Sequence, residues 1–244
     1  MSETWEDEAE NWIRWARTPG HDVYGIYSPG FFSEIVPPPS GLALEVGCGE
    51  GRVARDLKGL GHEIVGLDPS PTLVAHSRQA DPNGTYLIAP GERLPFADSC
   101  FDLVIAYNSL QNVADLPSAI AEIGRVLTAN GRLCLCIAHP MSDAGRFEND
   151  QPDSPFVVKG SYYGPRRVDE RVERDGLEIT FHGLAYSLEE YARALEETGF
   201  LIEVIREPRP DDEAVQSRPA LNQWRRLPLF LFIRGLKRAE ASGP

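Results

Sequence analysis

Apolar residues fall along this chain in short blocks with two alternating spacings. In "LALEV", Leu42, Leu44 and Val46 recur every second residue as in a strand; past a glycine-rich turn, Val53, Leu57 and Leu60 recur on one helical face that Gly61 ends. "EIVGLD", Glu63 to Asp68, predicts a second strand, and Ser70 followed by Pro71 predicts a helix start, cap and then first-turn proline, for the segment to about Ala80. "TYLIA" predicts a short third strand and "FDLVIAY", Phe101 to Tyr107, a fourth. Asp115 and Pro117 open a helix to about Thr128, Asn130 and Gly131 turn the chain, and "RLCLCIA" is a fifth strand. Strands apolar on both faces and separated by single helices imply a mostly parallel sheet with helices on both faces. The expected fold is doubly wound α/β, with its ligand beyond the carboxyl ends of the strands.

Two stretches break the alternation. Residues 1–40 hold Trp5, Trp12, Trp15, Tyr24, Tyr27, Phe31 and Phe32 and close on Pro37, Pro38 and Pro39, so they form an aromatic cap that must pack over something. Residues 140–186 are an insertion after the fifth strand, longer than a simple connection and placed at the ligand end of the sheet. Both are expected to act as lid elements around a core of residues 41–139. The part from 187 to 244 begins with a capping box, Ser187 and Glu190, then a helix to Thr198, "FLIEVI", a proline-rich link and "LPLFLFIRGL", which reads as a last edge-pairing strand. One domain spans the 244 residues, and 42% hydrophobic content suffices for its core.

Charge narrows the partners. A formal net charge of -13 repels a phosphate backbone, so a nucleic-acid substrate is not expected. The arginines of "YYGPRRVDERVER" are interleaved with acids and read as a solvated charged face. No run approaches the roughly 20 apolar residues of a membrane span, and "MSETWEDEAEN" lacks the basic end and apolar run of a signal peptide. A cytoplasmic protein with no membrane partner is expected, either monomer or homodimer. Cys48, Cys100, Cys134 and Cys136 read as small core residues and not as a metal site. His62 and His76 read as surface residues.

The chemistry gathers at "ALEVGCGEGR", where Gly47, Gly49 and Gly51 fall at every second position behind an acid, Glu45. Glycine takes backbone angles other residues avoid and lets a ligand approach the main chain. The dinucleotide fingerprint G-x-G-x-x-G does not fit, because the third glycine comes one position early and Arg52 stands where it belongs. No Tyr-x-x-x-Lys pair accompanies it; Tyr162, Tyr163 and Lys159 do not supply one.

"LEVGCGEGRVARDL" resembles instead the nucleotide-binding signature of class I S-adenosylmethionine-dependent methyltransferases. "IVGLDPS", "GERLPFADSCFDLVIAYNSLQNVAD" and "AIAEIGRVLTANGRLCLCIAHP" resemble the family's following blocks in the same order, covering Leu42 to about Pro140. The resemblance implies a seven-stranded sheet, S-adenosylmethionine as cofactor, S-adenosylhomocysteine as product, and a small-molecule acceptor. It assigns Glu45 to the cofactor's amino group, Gly47, Gly49 and Gly51 to its methionine and ribose portions, and Asp68, followed by Pro69, to the ribose hydroxyls. Tyr107 matches a cofactor-lining position, and His21 and Tyr24 a cofactor-covering segment. Where many relatives carry Gly-Asp-Ala-Glu, this chain has Ala89, Pro90, Gly91 and Glu92, so Gly91 and Glu92 are left to read the adenine.

Methyl transfer needs positioning above all, and a base only where the acceptor loses a proton. His139, at the end of the fifth strand, is the candidate for that base, with His182 as a second. No metal is expected. The aromatic, weakly charged lids suggest a small apolar or aromatic acceptor. A nicotinamide-dependent oxidoreductase and a non-catalytic cofactor-binding protein stand as the alternative readings.

Overall fold

The computed structural model describes residues 2–239. Three helices, α1 (Ser2–Asp7), α2 (Ala9–Arg17) and α3 (Tyr24–Glu34), precede the alternating part. That part runs β1 (Leu42–Val46), α4 (Arg52–Gly59), β2 (Glu63–Asp68), α5 (Pro71–Ala80), β3 (Thr85–Ile88), β4 (Phe101–Tyr107), α6 (Leu116–Val126) and β5 (Leu127–Ala138). A short helix, α7 (Pro140–Asp143), then leads into two hairpins, β6 (Gly145–Phe147) with β7 (Phe156–Val158) and β8 (Arg166–Arg174) with β9 (Leu177–Ala185). The chain finishes with α8 (Leu188–Glu197), β10 (Phe200–Arg206), α9 (Asp212–Ser217) and β11 (Phe230–Lys237).

The central sheet has seven strands in the order β10-β11-β5-β4-β1-β2-β3. The five strands from β3 to β5 run parallel, and β11 enters antiparallel between β5 and β10. The order reverses between β1 and β4, so the crevice beyond their carboxyl ends is the switch point where such sheets hold ligands. Period-two alternation sends Leu44 and Val46 to one face, against Ile120 and Ile123 of α6 and Leu195 of α8. It sends Ala43 to the other face, against Phe31 of α3, Ile35 just past that helix and Leu57 of α4. Cys134 and Cys136 are buried on that second face and all four cysteines are free thiols.

Three details differ from the pattern-based expectation. "LPLFLFIRGL" supplies β11, which is an interior strand; the edge belongs to β10. Phe232 and Ile233 are each 1% exposed, and such two-sided burial requires a neighbour on either side. The Asn130-Gly131 turn does not separate two elements: Asn130 takes φ +66° inside β5, where the register against β4 slips between Phe101 and Leu103. His62 is buried, not a surface residue, and its imidazole is held below the usual range by desolvation.

Helix α8 starts on the expected capping box. The Ser187 side chain accepts from the Glu190 amide at 3.3 Å, and the Glu190 carboxylate accepts from the Ser187 amide at 2.7 Å. Ser187→Ala should lower stability in urea unfolding by about 1 kcal/mol while S-adenosylhomocysteine affinity stays unchanged. An unshifted midpoint would mean that packing of Tyr191 and Leu195 alone holds the helix start.

Candidate cofactor site

The turn after β1 needs its glycines for separate reasons. Gly47, Gly49 and Gly51 all lie at positive φ, +75°, +54° and +82°. A Cβ on Gly47 would stand 2.4 Å from Ser109 Cβ, and one on Gly51 would stand 3.1 Å from both Ser77 and the Tyr86 ring. At Gly49 the nearest atom is Trp12 Nε1, 3.4 Å away, so this glycine faces the space beneath the cap. The Gly47 and Cys48 amides donate to the Leu67 carbonyl at 2.8 and 2.9 Å, which locks the turn to the end of β2.

Asp68 completes that lock. Its Oδ2 accepts from the Gly49 amide and its Oδ1 from the Ser70 amide, both at 2.9 Å. Each carboxylate oxygen has a second lone pair, so both remain able to accept from a diol. Burial raises its pKa to about 6, the two amides oppose the rise, and Glu6 adds to it. Ser70, separately, caps α5 by accepting from the Leu73 amide at 3.1 Å. The helix cap therefore leaves Asp68 to the turn.

Glu45 is 1% exposed on β1, and its Oε2 has no hydrogen-bond partner. Desolvation lifts its pKa well above the ordinary carboxyl range; the Ala54 amide, Arg52 and Arg55 work against this and the Asp68 charge adds to it. An unpaired buried carboxylate is costly, and a ligand ammonium group would remove the cost. Tyr107 and Tyr24 stand edge to face, 5.4 Å between centroids, and the Arg52 guanidinium lies 4.1 Å over the Tyr24 ring. Tyr24 is fixed from outside as well, donating to Asp56 at 2.6 Å.

Of the adenine-side residues, Gly91 packs its backbone against Val46 and Val113, a Cβ there falling 3.2 Å from Val46. Glu92 accepts from the Ala114 amide at 2.6 Å, so it braces the loop after β4. Pro69 is half-buried between Asp68 and the α5 cap. The structure thus brings Glu45, the three glycines, Asp68, Tyr24 and Tyr107 into one crevice. His139 stands apart from this group. It follows β5 and turns toward the β10 side, Nε2 lying 3.0 Å from Glu207 and Nδ1 accepting from the Met141 amide at 3.0 Å.

Several residues at the crevice carry no sequence signal of their own. Glu6 of α1 bonds the Ser70 hydroxyl and the Thr72 hydroxyl (2.6 Å) at the start of α5. Arg17 of α2 pairs with Glu50 at 3.1 Å, and Arg55 holds the other side of that carboxylate at 2.9 Å. Asp22 pairs with Arg52. Trp12 and Trp15 meet Phe181 of β9 edge to face at 6.3 and 6.2 Å. The aromatic cap and the β8–β9 hairpin therefore join above the glycine turn. Arg174 reaches the Gly20 and His21 carbonyls, and Arg166 the Asp143 carbonyl, so these two arginines leave the solvated face expected of their segment.

A doubly wound sheet with an acid-backed glycine turn at its switch point is a nucleotide-binding frame, and known proteins place it more narrowly. Residues 44–135 match the family described as a methyltransferase domain. Malonyl-[acyl-carrier protein] O-methyltransferase from Pectobacterium atrosepticum is 34% identical over 98 residues, 40% of this chain and 39% of that protein. Demethylmenaquinone methyltransferase from Tropheryma whipplei is 33% identical over 101 residues, 40% of this chain and 42% of that one. The match thus spans about two fifths of the length of these curated relatives. An S-adenosylmethionine-dependent methyltransferase from Mesorhizobium loti has the same fold, with a TM-score of 0.71 at 23% identity over 86% of this chain and 97% of that one. Residues 44–135 thus match a methyltransferase domain, and the fold is that of S-adenosylmethionine-dependent methyltransferases, enzymes whose cofactor is S-adenosylmethionine. The residues present fit that cofactor: Glu45 offers an unpartnered oxygen to its ammonium group, Asp68 two acceptors to its ribose, and the glycines a floor without side chains.

Two predictions follow from this geometry. A diol donates best to an ionised carboxylate, so S-adenosylhomocysteine affinity measured by calorimetry should fall as pH drops below about 6, the pKa of Asp68. The fall should approach tenfold per pH unit for one required ionisation, and Asp68→Asn should bind more weakly and lose that part of the pH dependence. Trp12→Ala should open the cap and speed cofactor release about tenfold, equivalent to ~1.4 kcal/mol. Stopped-flow displacement that gave the wild-type rate would show that Trp12 only packs against Phe181.

Proposed function

We propose that the chain transfers a methyl group from S-adenosylmethionine to a small, aromatic or otherwise largely apolar metabolite. The observation that carries the cofactor half is the unpartnered buried oxygen of Glu45 beside the Asp68 lock, an arrangement that asks for an ammonium group and a diol on one ligand. The acceptor half draws on the aromatic meeting of Trp12, Trp15 and Phe181 over the crevice. The relatives' printed substrates, an acyl-carrier-bound malonyl group and a demethylated quinone, belong to proteins matched over only about two fifths of this chain. The segment from 140 to 186 lies outside the family match, so it is free to select a different acceptor.

His139 enters this reading as a tie between β5 and the loop after β10. Its Nδ1 accepts a backbone proton, so Nε2 carries the ring proton and donates it to Glu207. Desolvation holds its pKa below the usual range, with Glu207 pulling the other way. To serve as base it would first have to release one of these partners.

No helix among the described residues is long and apolar enough to cross a membrane, and none of their His, Cys, Asp and Glu side chains group as a metal site. The formal charge of -13 favours a small-molecule acceptor over nucleic acid.

A thermal-shift panel separates the readings. S-adenosylmethionine and S-adenosylhomocysteine at 100 times their dissociation constants should each add about 2.7 kcal/mol of stability, and NAD and NADP nothing. Stabilisation by NAD alone would sink the proposal in favour of the oxidoreductase alternative. Binding without transfer to any acceptor in a mixed metabolite extract would favour the non-catalytic one.

A further inference from the structure

The inner face of the β8–β9 hairpin carries polar groups that neither the cofactor nor the fold uses. Cross-strand pairing sets Arg166 opposite Ala185, Val168 opposite Gly183 and Glu170 opposite Phe181, all on the face that Phe181 turns toward Trp12 and Trp15. This face lies on the segment after β4: a Cβ on Gly183 would stand 3.3 Å from the Gln111 carbonyl and 3.7 Å from Gln111 Cγ. Gln111 is two residues past Ser109, the residue packed on Gly47 of the cofactor turn. On the other side, Arg166 donates to the Asp143 carbonyl at the end of α7. Gly183 and Ala185 are one strand repeat apart, about 7 Å, so Gln111, Arg166 and Asp143 converge under a single patch of hairpin.

Two of the three are left short of a partner, and the third is a half-buried carboxyl beside them. Gln111 Oε1 is buried with no donor, and Arg166 Nε is buried with no acceptor. The Asp143 carboxyl is raised to about 6 by burial, with Arg166 opposing and Glu170 reinforcing the rise, and no hydrogen bond contributes. Native interiors seldom leave such groups unpaired, and two of them beside the Asp143 carboxyl, on the segments that follow β4 and β5, point to a ligand that completes them.

We propose that Asp143, Arg166 and Gln111 form the acceptor subsite, and that it takes a small molecule with an acidic hydroxyl next to a carbonyl-type oxygen, such as a hydroxy ketone phenol or an enol. This rests on the methyltransferase reading above. The hydroxyl donates to Asp143, the neighbouring oxygen accepts from Arg166 Nε, and Gln111 takes any further N–H or O–H. In the transfer, the acceptor's proton passes to the Asp143 carboxylate and its oxygen forms the bond to the methyl carbon. The carbon–sulfur bond breaks with its electron pair staying on sulfur, so the products are a methyl ether, a neutral thioether and a protonated Asp143. Asp143 is thereby the catalytic base. Arg166 sets orientation, and a bidentate contact of this kind discriminates strongly against acceptors lacking one of the two oxygens.

The test uses the full chain saturated with S-adenosylhomocysteine and reads binding of 2-hydroxyacetophenone by saturation-transfer NMR, with phenol and acetophenone as its two halves. The hydroxy ketone should bind at least about tenfold tighter than either half. Arg166→Gln should erase its advantage over phenol. Asp143 faces Arg166 and Glu170 from β8 and Tyr191 from α8, and His139 begins its own helix. Affinity should rise with pH from 5 to 7 in the wild type and stay flat in Asp143→Asn, which keeps all four of those groups. S-adenosylhomocysteine affinity should be unchanged in both variants, which also reports that they fold. No preference for the hydroxy ketone, or a pH response surviving in Asp143→Asn, would overturn the subsite. Failure of the wild type to bind S-adenosylhomocysteine would instead overturn the cofactor reading.

Discussion

The hydrogen bonds from the Gly49 and Ser70 amides to one buried carboxylate, Asp68, tie this structure together. They join the end of β1 to the end of β2 and fix the glycine turn in the left-handed angles that only glycine adopts without strain. Everything at the mouth of the sheet is set by that join. Gly51 packs onto Ser77 and Tyr86, α4 leaves at the angle that buries Val53 and Leu57, and Arg52 emerges where Tyr24 and Asp22 can meet it. The N-terminal cap adds a second tier: Glu6 holds the start of α5 and Arg17 holds Glu50, which lies within the turn itself.

The same carboxylates set function against stability. Burial raises the Asp68 pKa to about 6 and lifts that of Glu45 well above the ordinary carboxyl range, so the fold binds these protons more tightly than the unfolded chain does. Their contribution to stability is greatest under acid conditions and is lost as pH rises through the folded-state values. Above about pH 6 Asp68 is held charged in an interior that disfavours it, and the upward shift at Glu45 reflects the same cost of burial. A ligand bringing an ammonium group and a diol relieves both, so part of its binding energy comes from strain the sequence has built in. This also explains why the crevice is capped: exclusion of water strengthens each of those contacts.

The sheet was legible because its strands are regular. Two-sided apolar strands, helix starts at Ser70 and Asp115 and the Ser187 capping box are all local signals, and all recur in the fold. Long-range ones were harder to see. "LPLFLFIRGL" has the composition of any buried strand, and nothing in it specifies that it inserts between β5 and β10. The charged run in β8 reads as solvated because period-two alternation hides its inner face, Arg166, Val168 and Glu170, among outward acids and arginines. Gln111 and Asp143 follow strand ends, where any polar residue looks like loop. Their partners are a hairpin more than 20 residues away, and no spacing rule connects them.

The cofactor half of the site is therefore local in sequence and the acceptor half is not. Glu45, the glycines and Asp68 fall within 24 residues, all inside the family match of residues 44–135. The proposed acceptor groups come from the loop after β4, the end of α7 and a hairpin, three pieces joined only by the fold and apart from the hydrogen bonds of the Asp68 lock. Among the described residues the groups proposed to bind the donor and those proposed to face the acceptor share no hydrogen bond, so a chain built this way could keep one methyl donor while altering what it methylates.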